Sequence, residues 1–304
     1  MKVLIIGDLH LKKSNIQERS KLLSWIEGLT KDVDHLVYLG DVFHDHQVMY
    51  SNVHNLFSEH LHRVSIETII LEGNHDMWKP KDTSHSSLRS LHVPANVTIV
   101  TGPTNIHNMT FIPFLPDMNA FPNVGLCDVV FTHNEFKGAQ TMFYRFDEGV
   151  EPEDINCNLI VSGHIHMNQT LGKLFYPGTP VADGIDDANQ DKGVHIYDTE
   201  TRLFDFIESP FPKIFIHKIT PEEAGSYVEP KDGHKHIVEI IGERRAVLKA
   251  SKQLTGIAVR TKIVNERIES RGLKPNDILK EYVVNKYPQK CQEVLELLGK
   301  YLGG

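Results

Sequence analysis

The 304-residue chain exceeds the usual size of one domain, and with 40% hydrophobic and 24% charged residues it can bury a core; wholesale disorder is excluded. The apolar run at Val3 to Ile6 is too short to span a membrane, and with no secretory leader and three cysteines (Cys127, Cys157, Cys291) lacking C-x-x-C spacing, the reading is a reducing, cytoplasmic setting, in the nucleoid or a host-cell cytoplasm. Charge divides the chain: residues 1–212 carry 15 Lys and Arg against 28 Asp and Glu, whereas residues 213–304 carry 17 against 12, an acidic body and a basic tail.

Short β-branched runs come first. KVLII (2–6), HLVYL (35–39), IETIIL (66–71), VTIV (97–100), DVVFT (128–132) and NLIVS (158–162) read as strands covered on both faces, because their apolar residues are nearly continuous. Helical patterns at roughly 16–31 and 51–63 separate the first three, giving the β-α-β rhythm of a layered α/β fold. After residue 170 the strands KLFYP, GVHIYD and RLFDFIE follow without helices and predict a second, largely antiparallel sheet. Ser209-Pro210-Phe211-Pro212 reads as a linker, so the expected organisation is a main domain over 1–212, a small α/β domain over 213–272 and C-terminal helices over 273–304. Asn276 or Asp277 would cap the first of those helices.

Metal-ligating side chains follow five of the strands. The first ends in Gly7-Asp8-Leu9-His10, the second in Gly40-Asp41-Val42-Phe43-His44 and the third in Gly73-Asn74-His75-Asp76; the last two end in His133 and in Gly163-His164-Ile165-His166. In open α/β sheets the carboxyl ends of the strands form the binding crevice. Aspartate, histidine and asparagine without cysteine suit manganese, iron or zinc in a catalytic site. Seven ligands for two ions require a shared carboxylate, and Asp41 is the best candidate. Two aspartates against two dications leave a surplus of about +2, which attracts phosphate oxygens and lowers the pKa of bound water toward ~7.

In this order, D-x-H, G-D-x-F-H, G-N-H-D, a lone His and G-H-x-H resemble the calcineurin-like metallophosphoesterases, over essentially all of residues 1–208. The resemblance implies a four-layer α/β/β/α sandwich with a small C-terminal α/β capping domain. It implies that Asp8, His10, Asp41 and His166 hold one metal and that Asp41, Asn74, His133 and His164 hold the other. Phe43 and His44 after Asp41, with no G-D-x-x-D-R-G, resemble the SbcD-type (Mre-type) DNA nucleases, and Tyr176-Pro177-Gly178-Thr179 and Lys192-Gly193 are similar to further elements of that family; the short tail is similar to compact phage-encoded members. What this implies is a DNA nuclease, exonuclease and in some members endonuclease, using two divalent ions: Mn2+ first, with Mg2+, Fe2+ or Zn2+ as alternatives. His75 would serve the leaving 3′ oxygen, Asp76 would orient His75, and His44 would reach a substrate phosphate.

The pattern H-x-H occurs four times, and His46, the His60/His62 pair and the His234/His236 pair read as decoys. Gly163 is expected to permit the turn that aims His164 and His166. Partners implied are DNA, an SMC-like SbcC-type ATPase docked by the terminal helices, and a second copy in a homodimer. The chain carries no G-x-x-x-x-G-K-[ST] of its own. A small-substrate phosphodiesterase or phosphatase on the same fold is the alternative.

Overall fold

The computed structural model describes residues 1–79 and 82–263. By its contacts the chain divides into one unit of residues 1–216 with 231–236 and another of residues 217–230 with 237–304.

In the first unit β1 (Lys2–Ile6), α1 (Ile16–Leu29), β2 (His35–Tyr38), α2 (Ser51–Arg63) and β3 (Glu67–Leu71) alternate as expected, with the three strands parallel. The pleat sorts their apolar residues. Leu4 and Ile6 pack with Leu22, Leu23 and Ile26 of α1 and with Phe57 and Leu61 of α2. Val3 and Ile5 point the other way, into a core shared with Phe111, Phe131, Val161 and Phe175. Burial on both faces explains why the sequence showed no alternation.

A hairpin of β4 (Met77–Lys79) and β5 (Asp82–Ser86) leads to β6 (Val97–Val100). β7 (Thr104–Ile106), β8 (Met109–Ile112), β9 (Cys127–Thr132), β10 (Cys157–Ser162), β11 (Gln169–Leu171) and β12 (Leu174–Tyr176) make the second sheet, and β13 (Gly193–Asp198) and β14 (Leu203–Glu208) rejoin the first. The two orders are β14-β13-β1-β2-β3-β6 and β11-β12-β10-β9-β8-β7. The strands after residue 170 therefore do not form a sheet of their own. β13 runs antiparallel to β1, setting Lys2 against Asp198, while β12 lies parallel to β10 in the second sheet. That sheet is mixed: its inner strands β8, β9, β10 and β12 are parallel and only its edges, β7 and β11, are antiparallel. A strand's own residues do not name its partner, which is why local texture misassigned these strands. Cys127 and Cys157, unrelated by spacing, turn out to be register partners on β9 and β10.

α1 and α2 are the only α-helices of this unit among the described residues. The outer face of the second sheet is covered instead by loop residues such as Phe136, Ala139 and Ile155, which bury Val130, Ile160 and Tyr176. This fourth layer of the sandwich is thus built of loops and single turns such as Met118–Ala120 and Pro152–Asp154. Ser209 to Pro212 belong to the same unit, with Phe211 edge-on to Trp25 at 6.4 Å.

Farther on lie β15 (Ile214–Ile219), β16 (Lys235–Gly242), α3 (Arg244–Ser251) and β17 (Ala258–Ile263), with a sheet in the order β15-β16-β17. α3 connects the parallel pair β16 and β17, and Val247 and Ala250 of α3 pack on Val238 and Ile240. Arg244, Arg245 and Lys249 on α3 are exposed. The helices expected over 273–304, with the Asn276 or Asp277 cap, lie outside the described residues. No described helix is long and apolar enough to cross a membrane.

Candidate metal centre

All seven sequence-predicted ligands lie at the carboxyl ends of β1, β2, β3, β9 and β10, and the structure brings them together. Their donor atoms form two groups that meet at one carboxylate. In the first, His10 Nε2 lies 3.0 Å from His166 Nε2 and 3.8 Å from Asp41 Oδ2, and His166 Nε2 lies 3.7 Å from Asp8 Oδ2. In the second, Asn74 Oδ1 is 2.8 Å from His164 Nδ1 and 3.1 Å from His133 Nε2, which is itself 3.2 Å from Asp41 Oδ1. The two oxygens of Asp41 thus face different groups.

Whether divalent ions fit can be judged from the donors. Ligand bonds of ~2.0–2.2 Å at tetrahedral or octahedral angles separate neighbouring donors by about 2.9–3.5 Å, close to the spacings found here. Several of these atoms are lone pairs aimed at one another, and one shared proton could satisfy only one such pair. The other ring nitrogens are held by the scaffold: His133 Nδ1–H donates to Leu39 O at 2.7 Å, and His164 Nε2 lies 3.2 Å from Glu135 Oε2. Such outer contacts fix tautomer and ring orientation at metal sites. Glu135 was not singled out from sequence; its place two residues after the lone His133 was the available signal.

Electrostatics point the same way. Burial raises the Asp8 carboxyl, while His133, His10 and His75 overcome burial at Asp41 and hold it well below the usual carboxylate range. Burial alone would lower His133, yet Asp41 and Asp8 push it up to about 10. His164 is lowered to about 3 by burial and by His133. Two buried carboxylates without a cation draw a proton onto the nearest base, which is the charge that bound ions would supply.

Backbone strain is concentrated here. His10, Asp41 and His164 all adopt left-handed φ, at 44°, 49° and 76°, each costing on the order of 1 kcal/mol that the surrounding structure must offset. This corrects the expectation for Gly163, which has no positive φ; the turn is made by His164 itself. Gly163 is required by space, because a Cβ there would lie 2.7 Å from His133 Nδ1 and 2.9 Å from Asp8 Oδ1.

His75 borders the first group, with a ring nitrogen close to those of His10 and His44. Its backbone N–H donates to Asp41 Oδ1 at 2.8 Å, and its Nδ1–H donates to His44 O at 2.8 Å, which leaves Nε2 outside both bonds. The ring stacks on His46 at 4.4 Å and on His44 at 5.3 Å, and meets His10 edge-on at 4.8 Å. The Asp76 carboxylate makes its hydrogen bonds elsewhere. The buried Asp76 carboxylate accepts from Phe43 N at 2.9 Å and Gly73 N at 3.0 Å, so it ties the loop after β2 to the loop after β3. Burial and the Asp41 charge push Asp76 up to about 8, whereas the two N–H donors favour its ionised form. His44 Nδ1 lies 3.3 Å from His10 Nδ1 and so steadies a ligand. His46, read as a decoy, is no ligand but a face against His75. Of the remaining decoys, His60 is buried on Tyr38 and Glu27, and His62 lies exposed on another face of α2. The buried Lys192 donates to His166 O at 2.7 Å and to Asp187 Oδ1 at 2.6 Å, holding the last ligand by its backbone.

The fold and this donor set define a metallophosphoesterase, and the sequence agrees: the family model "Calcineurin-like phosphoesterase" matches residues 1–168, and the chain belongs to that family. Among relatives, protein 244L of Invertebrate iridescent virus 6, named as a phosphoesterase, is 30% identical over 198 residues, 59% of this chain and 70% of its own. The solved nuclease MPE of Pseudomonas putida is 14% identical, with a TM-score of 0.33 over 67% of this chain and 87% of its own, too remote a likeness to bear on activity.

Proposed function

We propose that this metallophosphoesterase hydrolyses phosphodiester bonds in DNA, as a nuclease of the SbcD type. The observation that carries the reading is the Asp41 carboxylate, whose two oxygens face two separate donor groups. Asp8, His10, Asp41 and His166 would hold one divalent ion and Asp41, Asn74, His133 and His164 the other, manganese being the first choice by resemblance. Bound there, the ions would supply Lewis acidity toward phosphate oxygens and a lowered pKa for water.

The chain's own groups do the rest. His75, with Nδ1–H fixed on His44 O, presents Nε2 to protonate the leaving 3′ oxygen, a role worth roughly 10²–10⁴ in rate. Trp78, with Lys79 Nζ 4.8 Å from its ring, and Tyr50, with Lys13 Nζ at 6.0 Å, are partly exposed and offer flat faces beside positive charge, as nucleic-acid strands require. The basic C-terminal portion would add sequence-independent phosphate contacts. On this reading the SbcC-type ATPase docks through residues 273–304, and a homodimer is a second assembly to test.

Metal-dependent degradation of linear double-stranded DNA by the wild type, abolished by chelator and slowed roughly 10²–10⁴-fold by His75→Ala while metal stays bound, is the expected result. The acid surplus of residues 1–212 favours the alternative, a small-substrate phosphodiesterase. Hydrolysis of bis-p-nitrophenyl phosphate with none of DNA would select it.

A further inference from the structure

At the opposite ends of β2 and β3 from the metal centre, three more ligating side chains meet. His35 opens β2 and Glu67 opens β3, and the two are register partners. His107 reaches them from the turn between β7 and β8, in the other sheet. Glu67 Oε2 lies 3.2 Å from His35 Nδ1 and 2.7 Å from His107 Nε2, and the two rings are 4.9 Å apart.

Proton bookkeeping at His35 leaves a gap. Its Nε2 faces Met1 Sδ, a weak acceptor, at 3.0 Å. The other ring nitrogen, Nδ1, is buried, makes no hydrogen bond and lies 3.2 Å from a Glu67 carboxylate oxygen. Burial also lowers the basicity of His35, which disfavours an imidazolium as the way to satisfy both ring nitrogens. The turn fixes where His107 sits. His107 and Asn108 both have left-handed φ, 49° and 63°, as a two-residue hairpin demands, and glycine or asparagine would fill the first position with less strain.

We propose that His35 Nδ1, His107 Nε2 and Glu67 Oε2 hold a divalent cation, zinc foremost, at a site separate from the phosphoesterase centre. Two imidazoles and one carboxylate suit zinc, whereas magnesium or calcium would call for more oxygens. Tetrahedral zinc with ligands at ~2.0–2.1 Å sets its donors about 3.3 Å apart. The His35–Glu67 spacing of 3.2 Å already matches. The 2.7 Å pair must open by about half an ångström, and both Glu67 and His107 are exposed enough to yield. The fourth position is open to water. Such an ion ties the two sheets together at the end where no catalytic ligand lies.

The test loads metal-free full-length protein with zinc by equilibrium dialysis and counts bound metal in wild type, Glu67→Gln and His107→Asn. The asparagine keeps the left-handed turn, and the glutamine keeps the shape of Glu67, so both should fold. Each variant should hold about one zinc ion per chain fewer than the wild type, and zinc should raise its melting temperature less. His164→Ala, which damages the other centre, should retain this ion, so failure of the phosphoesterase reading leaves the result legible. Equal zinc content in wild type and both variants overturns the proposal.

Discussion

Gly163→Ala offers a controlled way to disturb the metal centre. Gly163 has no positive φ, so an alanine there meets no backbone penalty and only packing is tested. The new methyl would sit 2.7 Å from His133 Nδ1, 2.9 Å from Asp8 Oδ1 and 2.9 Å from Leu39 O. Ordinary contact begins at about 3.4 Å, so His133 must retreat by roughly 0.7 Å, which strains the 2.7 Å bond that holds its ring to Leu39 O. Overpacking of this kind costs ~1–3 kcal/mol. The lower entropy of the unfolded chain gives back ~0.4–1 kcal/mol, leaving a net loss on the order of 1–2 kcal/mol. Because His133 and Asp8 face different donor groups, both ions should bind more weakly, by about 10- to 100-fold as when an outer contact is lost. Urea unfolding with chelator reads the first effect, and manganese titration of the folded protein reads the second. An alanine variant with wild-type urea midpoint and wild-type affinity for both ions would refute the reasoning.

His75→Ala should lower turnover by roughly 10²–10⁴ with bound metal unchanged, as steady-state kinetics with metal analysis would reveal; a fall in metal content instead would make His75 a ligand. Asp76→Asn places an amide N–H₂ against the N–H of Phe43 or Gly73 and should cost about 1–3 kcal/mol of stability, measured by denaturant melts. Lys192→Met strands the buried Asp187 charge and should destabilise by ~3–5 kcal/mol, with a charge-free Lys192→Met/Asp187→Leu double variant recovering part of the loss. His195, buried among Phe175, Phe204 and Phe206, is lowered to about 4 by burial. Its folded pKa lies below the unfolded value, so its neutral form is fully stabilising above about pH 6.5, and on the order of 3 kcal/mol is lost as pH falls from there toward 4. His195→Phe should flatten that part of the stability–pH curve; an unchanged slope would show that other groups set it.

The site was legible because its chemistry is written at the ends of apolar runs. Asp8, Asp41, Asn74, His133 and His164 each follow a strand whose continuous burial fixes where the chain leaves the sheet. Sheet order was not legible, since β13 joins β1 across nearly the whole first unit, with Lys2 set against Asp198, and nothing within either strand encodes that pairing. Roles that depend on which neighbour a side chain meets were equally hidden. Asp76 follows His75 in sequence but turns to Phe43 and Gly73, and the ring of His75 is held by the His44 carbonyl and the His46 face. Gly163 was recognised as a necessary glycine for a conformational reason when the reason is the space taken by His133 and Asp8.

The most direct test of the central claim is anomalous diffraction from crystals grown with manganese. Two peaks should flank the Asp41 carboxylate about 3.5–4 Å apart, one beside His10 and His166 and the other beside Asn74, His133 and His164. A single peak, or manganese that leaves Asp41 untouched, would contradict a two-ion centre built on that residue.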